Sequence, residues 1–179
     1  SKSTAPLYIT GNRKLKPIKY KMPVASAQVK SCIMLAGLYA GGRTLIYEKA
    51  KTRDHTERFF KLTKLPIEIK GNAIAVKGGF KPSPFSIEIP GDVSSAAFLI
   101  AGGILVPGSK IRLKKVLWNA TRVGFVNAVK RMGADINILS VKKTLPENVA
   151  DLEIRHRDLR AIRIKRNDIP SLIDELPIL

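Results

Sequence analysis

Two apolar rhythms alternate along this chain, and the order in which they alternate occurs twice. A mostly apolar run from Ser26 to Tyr39 is long enough for a helix buried on most of its sides. Strand-like positions 43–48 follow, then a charged helix from about Asp54 to Leu62. Ile67-Glu-Ile69 and Ala73-Ile-Ala-Val76 then alternate about Gly71-Asn72, which predicts a hairpin. The order returns with a strand at Phe85–Ile89 and an apolar helix that starts near Asp92 or Ser94 and ends near Leu105. A turn at Pro107-Gly108 leads into a strand at 109–116, and a helix over about 121–132 is closed by Gly133. Strands at 135–139, 151–155 and 161–164 complete the second copy, and a third opens near Ile169-Pro170. Upstream, Leu7-Tyr-Ile9 and Leu15–Tyr20 read as two strands about Gly11-Asn12.

The two copies are displaced by about 65 residues, the mark of one supersecondary unit used repeatedly. Each reads β-α-β-α-β-β, an α/β arrangement of mixed sheets with helices beneath them. The chain starts at Ser1 without a methionine and ends at Leu179 inside an apolar helix-like run, so it reads as the middle piece of a longer protein.

Composition narrows the class. Of 179 residues, 45% are hydrophobic, which suits a globular protein and excludes wholesale disorder. No apolar run reaches transmembrane length. The single cysteine, Cys32, sits in an apolar run and reads as a small core residue; a chain with one cysteine suits a reducing cytosol. The net charge of +18 admits solvated basic faces, a polyanion such as RNA, or a small anionic substrate. Basic residues are spread along the chain and not interleaved with aromatics, which argues against nucleic-acid binding.

Candidate chemistry gathers where helices begin, because unpaired amide N–H groups and the helix dipole favour anions there. Ser26 with Gln28, Ser94 with Ser95, and Asp174 stand at or near such starts. Ordinary N-capping is the structural alternative and suits Ser94 and Ser95. Gln28 in an otherwise apolar helix is a poor core choice and points to function. Asp54 and Glu57 fit a capping box, leaving Arg53 to address an anion through its forked donors. His55 has no second histidine at metal-ligand spacing. Asp174 and Glu175 lie in an apolar run where buried carboxylates are costly unless used. Arg122 reads either as an ion-pair partner or as part of a site.

Pro23-Val-Ala-Ser-Ala-Gln-Val-Lys-Ser31, Arg53-Asp-His-Thr-Glu57, Pro90-Gly-Asp-Val-Ser-Ser-Ala-Ala97, Asn119-Ala-Thr-Arg122 and Leu172-Ile-Asp-Glu-Leu-Pro177 occur in this order. The set resembles the 5-enolpyruvylshikimate-3-phosphate synthases, and among them the class II, glyphosate-tolerant branch. The resemblance implies the enolpyruvyl transferase fold, an inside-out α/β barrel of two lobes with three repeat units each. Residues 1–89 would then belong to the lobe that holds shikimate 3-phosphate, and 90–179 to part of the second lobe. It implies transfer of the enolpyruvyl group of phosphoenolpyruvate to the 5-hydroxyl of shikimate 3-phosphate, with release of phosphate. No metal or other cofactor is implied, and the full-length protein would be a cytoplasmic monomer.

By the same resemblance Ser26, Ala27, Gln28, Arg53 and Asp174 contact shikimate 3-phosphate. Gln28 also lies near phosphoenolpyruvate, and Asp174 takes the hydroxyl proton. Ala120, Val123 and Lys51-Thr52 depart from the usual family residues. The family's N-terminal lysine-serine-arginine motif and its C-terminal lysine- and arginine-rich set are missing here. Those supply most of the phosphoenolpyruvate clamp, so the chain alone is expected not to turn over. A sister transferase acting on a nucleotide sugar, an RNA-end-processing enzyme of related repeats, and a basic binding module are the competing classes.

Overall fold

In a computed structural model the described residues are 4–12, 14–164, 169, 172 and 176–179. Two compact units form. The first comprises residues up to Thr52 together with Thr63–Ser83, and the second comprises Arg53–Leu62 together with Pro84–Leu179.

The first unit is a four-stranded sheet with one helix on it. Strands β1 (Lys19–Lys21), β2 (Arg43–Tyr47), β3 (Ile67–Lys70) and β4 (Ala73–Lys77) lie in the order β1-β2-β4-β3. β1 pairs parallel with β2, and the other two pairings are antiparallel. The β3–β4 hairpin closes at the predicted place, with Gly71 at φ +58°. Helix α1 (Ala27–Gly37) packs on β2 and β4. Thr44 and Ile46 alternate inward on β2 and meet Met34, Ile74 and Val76 in the buried set.

α1 is less enclosed than its composition predicts. Only Lys30, Met34 and Gly37 are buried in it, while Leu35 and Cys32 are exposed. Cys32 is therefore not a core residue. The contacts of α1 with β2 and β4 cover one face, and an apolar run does not determine how many faces find neighbours.

The second unit holds α2 (His55–Leu62), α3 (Val93–Leu105), β5 (Lys110–Leu117), α4 (Gly124–Arg131), β6 (Asp135–Lys142) and β7 (Val149–Arg155). The sheet runs β5-β7-β6 and is antiparallel throughout. Ala150, Leu152 and Ile154 of β7 alternate toward α3 and α4, where Ile100, Ile104, Phe125 and Val129 complete a contiguous core. β5 carries a bulge between Leu113 and Val116, where Lys115 has φ +54°. Its amide donates to Asp151 Oδ1 at 2.8 Å, and its carbonyl accepts from Gly91 at 2.9 Å.

Three predicted strands are absent. Leu7, Tyr8 and Ile9 are 78%, 91% and 90% exposed and unpaired among the described residues, so the hairpin about Gly11-Asn12 does not form. Of Leu15–Tyr20, only a bridge from Leu15 to Ala40 and the start of β1 pair. Pro17 cannot donate to a ladder and sits instead against Gly42. Residues 85–89 lie outside any ladder, and Gly91 alone bridges to Val116. Pro82, Pro84 and Pro90 bracket that stretch, and none of the three can donate to a ladder at its ends. Residues 161–164 likewise form no strand. The predicted last helix lies mainly outside the described residues; of those that are described, Leu176–Ile178 form a 3-10 turn. α4 begins at Gly124, later than its periodicity suggests, because Asn119–Val123 is drawn into side-chain bonds described next.

Candidate functional site

In the first unit, the start of α1 is a capped and open helix end. Ser26 is extended, at φ −136° and ψ 113°, and its hydroxyl accepts from the Val29 amide at 3.3 Å. The same hydroxyl donates to Gln28 Oε1 at 3.3 Å. Gln28 is exposed, so the sequence argument that it is a poor core residue loses its premise; what stands is a polar side chain oriented by the cap. No acidic residue occupies the first turn, which leaves the positive end of the helix without an internal counter-charge.

One turn on, Lys30 is fully buried and pairs with Glu48 at 3.1 Å. Glu48 Oε1 also accepts from the Thr52 amide at 3.1 Å and the Thr52 hydroxyl at 2.6 Å. The signal for this pair is a lysine in an apolar helix, which requires a buried partner.

In the second unit, the first turn of α2 is locked by a separate charged network. Asp54 accepts from Arg58 Nε at 2.9 Å and from Asn119 Nδ2 at 2.8 Å. Its carboxylate thus ties the start of α2 to Arg58 one turn on and to Asn119 from a distant stretch of chain. Burial opposes ionisation of Asp54, but the bonds from Asn119 and Arg58 outweigh it and hold the carboxyl below its usual value.

Glu147 is 5% exposed and receives three groups. His55 Nδ1 lies 2.6 Å from its Oε1, Asn119 Nδ2 donates to its Oε2 at 3.0 Å, and Arg58 Nε stands 3.7 Å from that oxygen. Asn119, 1% exposed, is satisfied on its other side by the Thr121 amide at 2.9 Å and hydroxyl at 2.8 Å. Arg53 immediately precedes this turn and has no hydrogen-bond or ion-pair partner among the described residues. Glu147 was not foreseen, because nothing local in Leu145-Pro-Glu147 distinguishes it from a surface turn.

Arg122 resolves as an ion-pair partner, its guanidinium 2.7 Å from Asp92 Oδ1. Asp92 also caps α3 by accepting from the Ser95 amide at 3.1 Å, so Ser95 is a bonded first-turn residue and Asp92 the cap. Burial opposes ionisation of Asp92, but Arg122 and the Ser95 amide hold its carboxyl below the usual range. Across β5 and β7, Arg112 and then Arg155 bring Glu153 down to about 2. A cleft of about 700 Å³ in the second unit is bordered by His55, Phe59, Ile87, Lys142 and Glu147. Arg53 is not among the residues that border it.

Asp174 and Glu175 lie outside the described residues. Among the described residues no three metal-ligand side chains gather, and no helix is long and apolar enough to cross a membrane.

The sequence matches the family described as EPSP synthase (3-phosphoshikimate 1-carboxyvinyltransferase) over residues 1–179. A 3-phosphoshikimate 1-carboxyvinyltransferase of Methylococcus capsulatus is 50% identical over 176 residues, which are 98% of this chain and 40% of that protein. One of Coxiella burnetii is 48% identical over 174 residues, again 40% of its own length. The solved EPSP synthase of Acinetobacter baumannii superposes with a TM-score of 0.85 at 41% identity, covering 98% of this chain and 40% of that one. The enolpyruvyl transferase NikO of Streptomyces tendae has a TM-score of 0.60 at 14% identity over 90% of this chain and 42% of its own, a likeness of fold. The chain thus spans about 40% of the length of the relatives it matches.

Proposed function

The chain belongs to the EPSP synthase family and has the enolpyruvyl transferase fold, and on that premise we propose that it contributes to an enolpyruvyl transfer. The bond that forms joins the 5-hydroxyl oxygen of shikimate 3-phosphate to C2 of phosphoenolpyruvate. The bond that breaks joins C2 to the phosphate oxygen, and inorganic phosphate leaves. Ser26, Ala27, Gln28 and Arg53 hold shikimate 3-phosphate, with Gln28 also toward phosphoenolpyruvate, and Asp174 receives the hydroxyl proton. Residues 1–89 belong to the lobe that holds shikimate 3-phosphate, and 90–179 to the second lobe. The setting is cytoplasmic, and no metal takes part.

The observation that carries the reading is the state of Arg53. Asp54, His55 and Arg58 beside it are all engaged, whereas its own guanidinium has no partner among the described residues. A forked donor left unpaired suits a phosphate or carboxylate of the substrate. Within the first unit, and taken by itself, the helix end at Ser26 offers a hydroxyl, amide donors and a positive dipole without a competing acid, features that suit an anion.

Calorimetric titration of shikimate 3-phosphate into the full chain at moderate salt tests this. Saturable binding that Gln28→Ala weakens is the expected result, and no binding by folded chain would overturn it. The family's clamp for phosphoenolpyruvate has no counterpart here, so the chain alone should not release phosphate from the two substrates. Steady release would show that inactivity to be wrong.

A further inference from the structure

We infer that Glu147 is a positioning residue for Arg53: buried on the turn before β7, it sets where α2 begins and so where the guanidinium points. The inference rests on the proposed role of Arg53 and deepens it. Three side chains of the Asp54–Arg58 turn are tied down at once. His55 and Arg58 meet Glu147 directly at 2.6 and 3.7 Å. Asp54 reaches it through Asn119, whose single amide nitrogen serves both carboxylates at 2.8 and 3.0 Å. A carboxylate 5% exposed is costly to bury without such partners, and here they are all supplied by α2 and Asn119.

The turn that carries Glu147 is itself fixed. The Thr144 hydroxyl donates to the Glu147 carbonyl, and the Trp118 amide donates to the Asn148 carbonyl at 2.8 Å. α2 has eight residues, too short to hold its own register in water. Its first turn therefore takes its place from these contacts. Arg53 is one residue outside that turn, with no partner to orient it among the described residues. A bound anion would gain from finding that guanidinium already placed, because less side-chain freedom is lost on binding.

Two measurements on the full chain decide it. Glu147→Gln keeps the size of the side chain and removes the charge that His55 and Arg58 address. Arg53→Ala should weaken shikimate 3-phosphate binding roughly ten- to hundredfold, the range of a charge-assisted hydrogen bond. Glu147→Gln should weaken it about five- to tenfold when Arg53 is present and leave it unchanged in the Arg53→Ala background. Hydrogen exchange should speed at the Arg58 amide, which bonds the Asp54 carbonyl at 3.1 Å, whether or not substrate binds.

Equal weakening in both backgrounds would assign Glu147 a general structural role and overturn the inference. So would unchanged affinity where Arg53→Ala alone has an effect, and that result would leave the substrate reading standing. Absence of binding by the unsubstituted chain would overturn the substrate reading and this role with it. Should Glu147→Gln not fold, His55→Ala, at a half-buried site, takes its place in the same cycle with the same outcomes.

Discussion

At the residue scale, two glycines show that the same amino acid is required for different physical reasons. Gly71 turns the β3–β4 hairpin at φ +58°, with open space where a Cβ would stand. Gly78 is confined by contact: a Cβ there would lie 1.9 Å from the Ala40 carbonyl oxygen and 2.6 Å from that of Gly37. Gly71→Ala should cost about 1 kcal/mol, the penalty of a left-handed conformation. Gly78→Ala should cost about 3 kcal/mol, because backbone must move. Chemical denaturation of the two variants checks the order.

Asp54 is one of three carboxylates, with Asp92 and Glu153, that carry pH dependence. Its carboxyl is lowered from 3.8 in the folded state, so its contribution is present above that value and is lost as pH falls through the folded one. Asp54→Asn should therefore lower stability near neutrality and flatten the loss below about pH 4. Urea midpoints from pH 7 to pH 2 would show both effects, and parallel curves would contradict them. Ser26 and Asp92 were legible as residues at helix starts because a cap is a local signal. Asn119 is legible only as part of a motif, since two of its partners, Asp54 and Glu147, come from distant stretches of chain.

At the element scale, helices were read more faithfully than strands. α1, α2 and α3 lie where their periodicity put them, and so does the β3–β4 hairpin, whose two-residue turn brings its own partner. The strands expected at 7–9, 85–89 and 161–164 are absent from the ladders. A helix satisfies its backbone internally, whereas a strand exists only if another segment comes alongside. The N-terminus of α3 gives a test at this scale. Asp92 both caps the helix and pairs with Arg122, which is 18% exposed. Asp92→Asn keeps the cap and loses the ion pair, so it should cost well under 1 kcal/mol. Asp92→Ala loses both and should cost roughly 1–2 kcal/mol by thermal unfolding.

At the scale of the whole molecule, the chain holds two units and about 40% of the length of its relatives. α2 follows β2 in sequence as the repeat requires, yet its contacts place it in the second unit. The charged network of Asp54, His55, Arg58, Asn119 and Glu147 lies in that unit too. If the proposed function holds, this chain binds shikimate 3-phosphate without turning it over. Calorimetry and a phosphate-release assay read the two halves of that expectation separately.

The sequence by itself determined the repeat, the helix starts, the hairpin turn and the family, since each is written in neighbouring residues or in the order of short motifs. It also singled out Ser26, Ala27, Gln28, Arg53 and Asp174, whose roles are proposals and the last of which lies outside the described residues. Only the tertiary structure decided that α1 keeps Gln28 and Cys32 exposed, that Lys30 is buried against Glu48, and that Glu147 gathers the first turn of α2. Burial and long-range pairing depend on which segments meet, and a linear pattern records what each residue tolerates without recording what it meets.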